Sequence, residues 1–157
     1  MWKNEDVAEQ VIAGVPLLIF VSTTNSFSER HCSIRKELAK ADLQAHFITQ
    51  FEPEAIALQS IQQAPGLNLS IAKLSNLHKQ MWAQFALSQH KTAKFGLLLE
   101  DDALFVGDIR LRIETIINES LELPPGWMIS LGGYDDVRDL SARRPTPGLI
   151  EQPITTA

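Results

Sequence analysis

The run Phe95-Gly96-Leu97-Leu98-Leu99-Glu100-Asp101-Asp102 constrains this chain most, because an apolar segment of strand length ends abruptly in three carboxylates. A buried strand with acids at its carboxyl end commonly aims them into a crevice at the edge of an α/β sheet, and adjacent anions repel unless a cation or hydrogen-bond donors compensate them. A divalent-metal site is the sharpest reading. Strand alternation would send Glu100 and Asp102 to one face and Asp101 to the other, so the two faces could serve different roles.

The segments around this run alternate between strand and helix character. Val15 to Val21 reads as a buried strand, followed by a polar turn of Ser22, Thr23, Thr24 and Asn25. Ser26 and Glu29 make a capping-box pattern, and Phe27, His31, Ile34, Leu38 and Ala41 then recur at helical spacing. Ala45 to Ile48 suggests a second strand and Pro53 to Gln62 a second helix, before Pro65-Gly66 breaks the chain. Leu69 to Ser88 is helical in pattern, with Ile71, Leu74, His78, Met81 and Phe85 on one stripe. Ile109, Ile113, Ile116 and Ile117 predict a helix after the acidic cluster, and Trp127 to Leu131 a further strand beyond Pro124-Pro125-Gly126. Strands alternating with helices predict an α/β fold, a mainly parallel sheet covered on both faces.

Composition narrows the class. A length of 157 residues suits a single domain, and 45% hydrophobic with 21% charged residues fits a globular chain. The formal net charge of -5 gives no drive toward nucleic acid. Cys32 is the one cysteine, which excludes an internal disulfide and thiolate metal clusters and makes a reducing, cytoplasmic home the expectation. The stretch from Val11 to Val21 is too short to span a bilayer and is interrupted by Gly14 and Pro16, so no transmembrane segment is expected. Residues 1–133 read as the α/β core, and 134–157 as an irregular tail with Pro145, Pro147 and Pro153.

Four features in succession resemble the glycosyltransferase family 25 group of lipooligosaccharide (lipopolysaccharide) biosynthesis. They are the opening strand followed by Ser28-Glu29-Arg30, the helix carrying His78 with Trp82 four residues on, the LLLEDDA run at Leu97 to Ala103, and the strand ending Ser130-Leu131-Gly132-Gly133. The resemblance implies a GT-A-like, Rossmann-type nucleotide-sugar-binding fold. It also implies a metal-dependent, inverting transfer of a galactose-like hexose, from a nucleotide sugar such as a UDP-hexose to a glycan acceptor hydroxyl. By analogy Asp102 and Glu100 would hold Mn2+ or Mg2+, hard cations that take carboxylate and phosphate oxygens. Val21, Arg30, His78, Glu100 and Asp101 would bind the donor, Arg30 through its diphosphate. The helical stripe also fits His78 as a hydrogen-bonded core residue that positions the acidic loop from behind, and Leu77 stands where the family has serine.

Inversion needs a base for the acceptor hydroxyl, and Asp135 and Asp136 after the last strand are the candidates. Arg138, Arg143 and Arg144 could meet phosphate or an anionic glycan. Family members continue beyond a stretch resembling Ile154-Thr155-Thr156-Ala157, so the resemblance implies an amino-terminal portion of the family domain; the expected location is the cytoplasm, with peripheral association at the inner membrane face as an option. The alternative is a catalytically inactive nucleotide-sugar-binding module that lacks the acceptor half. A phosphotransfer domain using Asp101 or Asp102 would need a second acidic pair near the first strand and a late lysine, which the pattern does not offer.

Overall fold

The computed structural model describes residues 7, 9–54, 70–121, 123, 127–130 and 150–153. The chain divides into two compact units, Met1–Asn118 and Glu119–Ala157. The first holds a four-stranded sheet with helices against both faces, so the α/β class read from the sequence is the class of the molecule. Its elements in order are β1 (Glu9–Ile12), β2 (Val15–Ser22), α1 (Ser28–Lys40), β3 (His46–Ile48), α2 (Ile71–Gln89), β4 (Phe95–Glu100) and α3 (Ile109–Ser120). In the second unit, β5 (Trp127–Ser130) pairs antiparallel with β6 (Ile150–Pro153), so the tail expected to be irregular contributes a strand.

The sheet is mixed. β3 and β4 run parallel to β2, but β1 is antiparallel to it, with Ile12 opposite Val15. Ala13 and Gly14 make the connection with φ of 53° and 74°, the two positive values of a type I′ hairpin turn. That turn matches the right-handed twist of the flanking strands. β1 covers Val15–Leu18 of β2 and β3 covers Phe20–Ser22, while β4 pairs with Leu17–Ser22 along the other edge. β1 and β3 therefore lie end to end on one edge, and the Gln10 side chain donates to the Gln44 carbonyl where they meet.

Alternation along β2 separates two cores. Leu17, Ile19 and Val21 join Ile34 and Leu38 of α1 and Ile113 and Ile117 of α3 on one face. Leu18 and Phe20 join Ala83 and Ala86 of α2 on the other, with Trp82 and Leu87 packed alongside. The strand is apolar throughout because both faces are covered. Two crossovers of one hand that travel in opposite directions need helices on opposite faces, and α1 leads to β3 while α2 leads back to β4. Consequently the loops leaving β2 and β3 depart to opposite sides and open the sheet's carboxyl edge.

The face that α2 buries differs from the expected stripe. Leu74, Ser75, Lys79, Ala83 and Ala86 are buried, whereas Met81 and Phe85 are more than half exposed at 58% and 55%. Phe20 supplies the bulk at this contact, so the helix presents small residues to it. Gly96 of β4 adds to the close approach, since a Cβ there would lie 3.1 Å from Leu87 Cδ2. The Pro53–Gln62 helix falls almost wholly outside the described residues, and Pro53 and Glu54 lie in a turn.

Helix ends fix where the loops leave. The Ser26 capping box does not form: α1 begins at Ser28 with Phe27 as its N-cap, and no side chain caps its first turn. The Ser26 hydroxyl instead lies 3.3 Å from that of Thr24. Ser70 caps α2 by accepting from Lys73 N, and Asp108 caps α3 by accepting from Leu111 N. At the far end of α1, Leu43 N donates to Leu38 O and Asp42 N to Ala39 O, with Asp42 at φ 51°. These two bonds make a Schellman motif, sealed by burial of Leu38 and Leu43 in one cluster.

Candidate functional site

Parallel register sets Ser22 of β2 beside Glu100 of β4, so the acidic tip and the polar turn after β2 share the sheet's carboxyl edge. Alternation sends the first two acids apart. Glu100 follows Gly96 and Leu98 to the α2 side, where its Oε1 accepts from Asn76 Nδ2 at 3.1 Å. Asn76 Oδ1 in turn accepts from the Ser22 hydroxyl at 2.7 Å, so a hydrogen-bonded chain orients Glu100.

Asp101 follows Leu97 and Leu99 to the α1 side and is buried. Thr23 Oγ1 donates to its Oδ2 at 2.8 Å, and Arg30 lies 3.3 Å from its Oδ1. The strand ends at Glu100, and Ala103 N closes a turn onto Glu100 O. Strand alternation therefore does not extend to Asp102, which was expected to project with Glu100. Asp102 instead comes within 3.9 Å of the same Arg30 guanidinium and stays 58% exposed. Asp101 and Asp102 are thus the pair that shares a cation.

Arg30 sits in the first turn of α1, half exposed, with its guanidinium 4.7 Å from the Phe27 ring centroid. Ser26 to Arg30 line an open depression of about 340 Å³. An uncapped helix start and a guanidinium there both favour an anion. His31 braces the turn from the helix side, its Nε2 being 2.9 Å from Thr24 O.

Behind the loop lies Lys79, only 2% exposed, whose ammonium donates to the Thr23 carbonyl and sits 4.0 Å from Glu52. Glu52 also accepts from Asn25 N at 3.3 Å. Burial pushes the Lys79 ammonium below the usual lysine range, against the opposing pull of the Glu52, Asp101 and Glu54 carboxylates.

The remaining expected residues are dispersed. The Val21 side chain is wholly buried in the core with Ile19 and Ile34, and its backbone pairs with β3 and β4 on both edges, so the donor contact expected of Val21 is not available in this arrangement. His78 Nδ1 donates to Leu74 O at 2.9 Å, and its ring lies 5.7 Å from that of Phe51. The residue is half-buried on α2. Asp135 and Asp136, with Arg138, Arg143 and Arg144, lie outside the described residues.

Thr23, Asn76, Lys79 and Glu52 were not singled out from the sequence, although they hold the acids in place. One signal was present: Ser75, Asn76 and Lys79 form a polar patch beside the apolar stripe, at the spacing of one helix face.

Among the described residues no group of three or more His, Cys, Asp or Glu side chains is arranged to hold a metal ion. Magnesium and manganese need only one or two carboxylates when phosphate oxygens complete the shell, and the exposed Glu100 and Asp102 offer that donor chemistry. Among the same residues no helix is long and apolar enough to cross a membrane. No family model matches this chain, and comparison with curated proteins and with solved structures gives no match.

Proposed function

We propose that this chain binds the nucleotide-sugar donor of a metal-dependent, inverting hexosyltransferase resembling glycosyltransferase family 25, with a GT-A-like arrangement of the sheet edge. One observation carries the reading: the acidic end of β4 stands beside the end of β2, and the first helical turn after β2 returns Arg30 to two of the three carboxylates. Asp101 is internal to this assembly. Glu100 and Asp102 face outward and would hold Mn2+ or Mg2+, with donor phosphates supplying further ligands. Bound there, the cation would stabilise negative charge on the departing nucleoside diphosphate. Arg30 and the start of α1 would meet the phosphates from the other side, and Asn76 would keep Glu100 aimed at the cation. A glycan hydroxyl of a surface saccharide is the proposed acceptor.

Calorimetry with a uridine diphosphate hexose and manganese tests this directly. Wild-type protein should bind only with the cation present, and Asp102→Ala should weaken binding at least tenfold with little change in melting temperature. Equal binding by the variant, or none by wild type, rejects the donor site. Release of uridine diphosphate by wild type supports the transferase; binding without release supports the catalytically inactive module, a reading favoured by the engagement of Asp101 with Thr23 and Arg30.

A further inference from the structure

Lys79 is an expensive residue to place where it is. An ammonium group loses its water on burial, and a methionine would fill the same channel without that penalty. What the charge does is visible in its partners. Its Nζ reaches across from α2 to the carbonyl of Thr23, the residue whose hydroxyl donates to Asp101. Glu52, from the loop after β3, pairs with Lys79 and also accepts from Asn25 N, two residues beyond Thr23. The loops that part at the sheet's carboxyl edge are therefore tied to one buried cation.

The surrounding charges explain why a neutral donor would not serve equally. Glu52 and Glu54 approach from the loop after β3, Asp101 from the end of β4, and Arg30 reaches Asp101 from α1. With Lys79 uncharged, Arg30 alone would offset Asp101 and Asp102, and Glu52 would lose its cation. The β2–α1 loop would then rest on its backbone bonds, Thr23 N to Ile48 O and Phe27 N to Thr24 O, and on side-chain contacts such as that of His31 to Thr24 O, with the Thr23 carbonyl no longer held from α2.

We infer that Lys79 is a positioning residue, which holds the Thr23 carbonyl so that Thr23 and Arg30 jointly engage Asp101 while Glu100 and Asp102 stay open to a ligand. This rests on the reading of the crevice as a nucleotide-sugar site, and its test has a part that does not.

Nuclear magnetic resonance on the ligand-free protein follows the Arg30 Nε–Hε signal and the exchange of the Thr23 to Asn25 amides in wild type, Lys79→Met and Thr23→Val. Calorimetry follows manganese with uridine diphosphate in the same three proteins. Both variants should show a shifted, motionally averaged Arg30 signal, at least tenfold faster amide exchange in the loop, and at least tenfold weaker ligand binding. An unchanged Arg30 signal in Lys79→Met overturns the inference, even if affinity falls, because a general loss of stability would then be the cause. Should Lys79→Met not fold, Lys79→Gln carries the test by the same Arg30 readout, since it too removes the charge and the reach to the Thr23 carbonyl, and an unchanged Arg30 signal there overturns the inference. If wild type binds no manganese and uridine diphosphate, the donor reading fails; the Arg30 signal and loop exchange then decide alone whether Lys79 sets the loop.

Discussion

Single side chains decide how the loops around the crevice are held, and Glu37 illustrates this away from the crevice itself. Its carboxylate accepts from Lys40 and from Phe105 N, the second bond tying α1 to the loop between β4 and α3. The Lys40 hydrogen bond first, and the Phe105 N–H second, hold the Glu37 carboxyl below the usual glutamate range. A carboxyl depressed in the folded state binds fewer protons there than in the unfolded chain. Its contribution is therefore complete above the unfolded value and is lost as pH falls through the folded one. Melting temperature followed from pH 7 to pH 3 should show this acid limb, and Glu37→Gln should flatten it. An unchanged limb in the variant would assign acid sensitivity to other carboxylates.

Among the elements, the Schellman turn after α1 shows how a helix can end on a residue that is not glycine. Asp42 adopts φ 51°, at a steric cost that glycine would not incur. Its exposed ion pair with Arg110, at 3.6 Å, contributes little in return. Asp42→Gly should stabilise the protein by about 0.5 to 1 kcal/mol, net of the backbone entropy lost, raising the melting temperature by about 2 to 4 °C. A lower melting temperature would mean that the Arg110 contacts outweigh the strain.

The elements also show what could be read from sequence. β2, β4 and α1 were legible because each obeys one dominant period or a continuous apolar run. β1 was not, since its turn places Ala13 in a conformation that an alanine does not advertise. The inward face of α2 departs from its bulky stripe because Phe20 and Gly96 across the contact require Ala83, Ala86 and the packed Leu87, and small residues carry no sequence mark of burial. Within the site, the acids stood out by their adjacency, but the amide and hydroxyl groups that bond to Glu100 and Asp101 are 24 and 78 positions away along the chain. Only folding brings such partners together.

At the scale of the whole molecule, the first unit depends on one strand shared by two cores. Phe20 is 1% exposed and packs edge-on to Trp82 at 6.0 Å, so Phe20→Ala would leave a cavity beneath α2. The expected loss is about 3 to 5 kcal/mol, read from urea unfolding with an unchanged slope. A loss under about 1 kcal/mol would mean that α2 collapses into the space. The expected loss of about 3 to 5 kcal/mol would approach the total stability of the less stable domains.

β2 has one further consequence. Leu17, Leu18 and Phe20 to Ser22 pair with neighbours on both edges, and helices wall off the two faces of the strand. It is the most enclosed strand of the sheet, an anvil whose tip carries Ser22 and Thr23. Any yielding needed for a visiting molecule to come and go must then come from the turns mounted on that tip, never from the platform underneath.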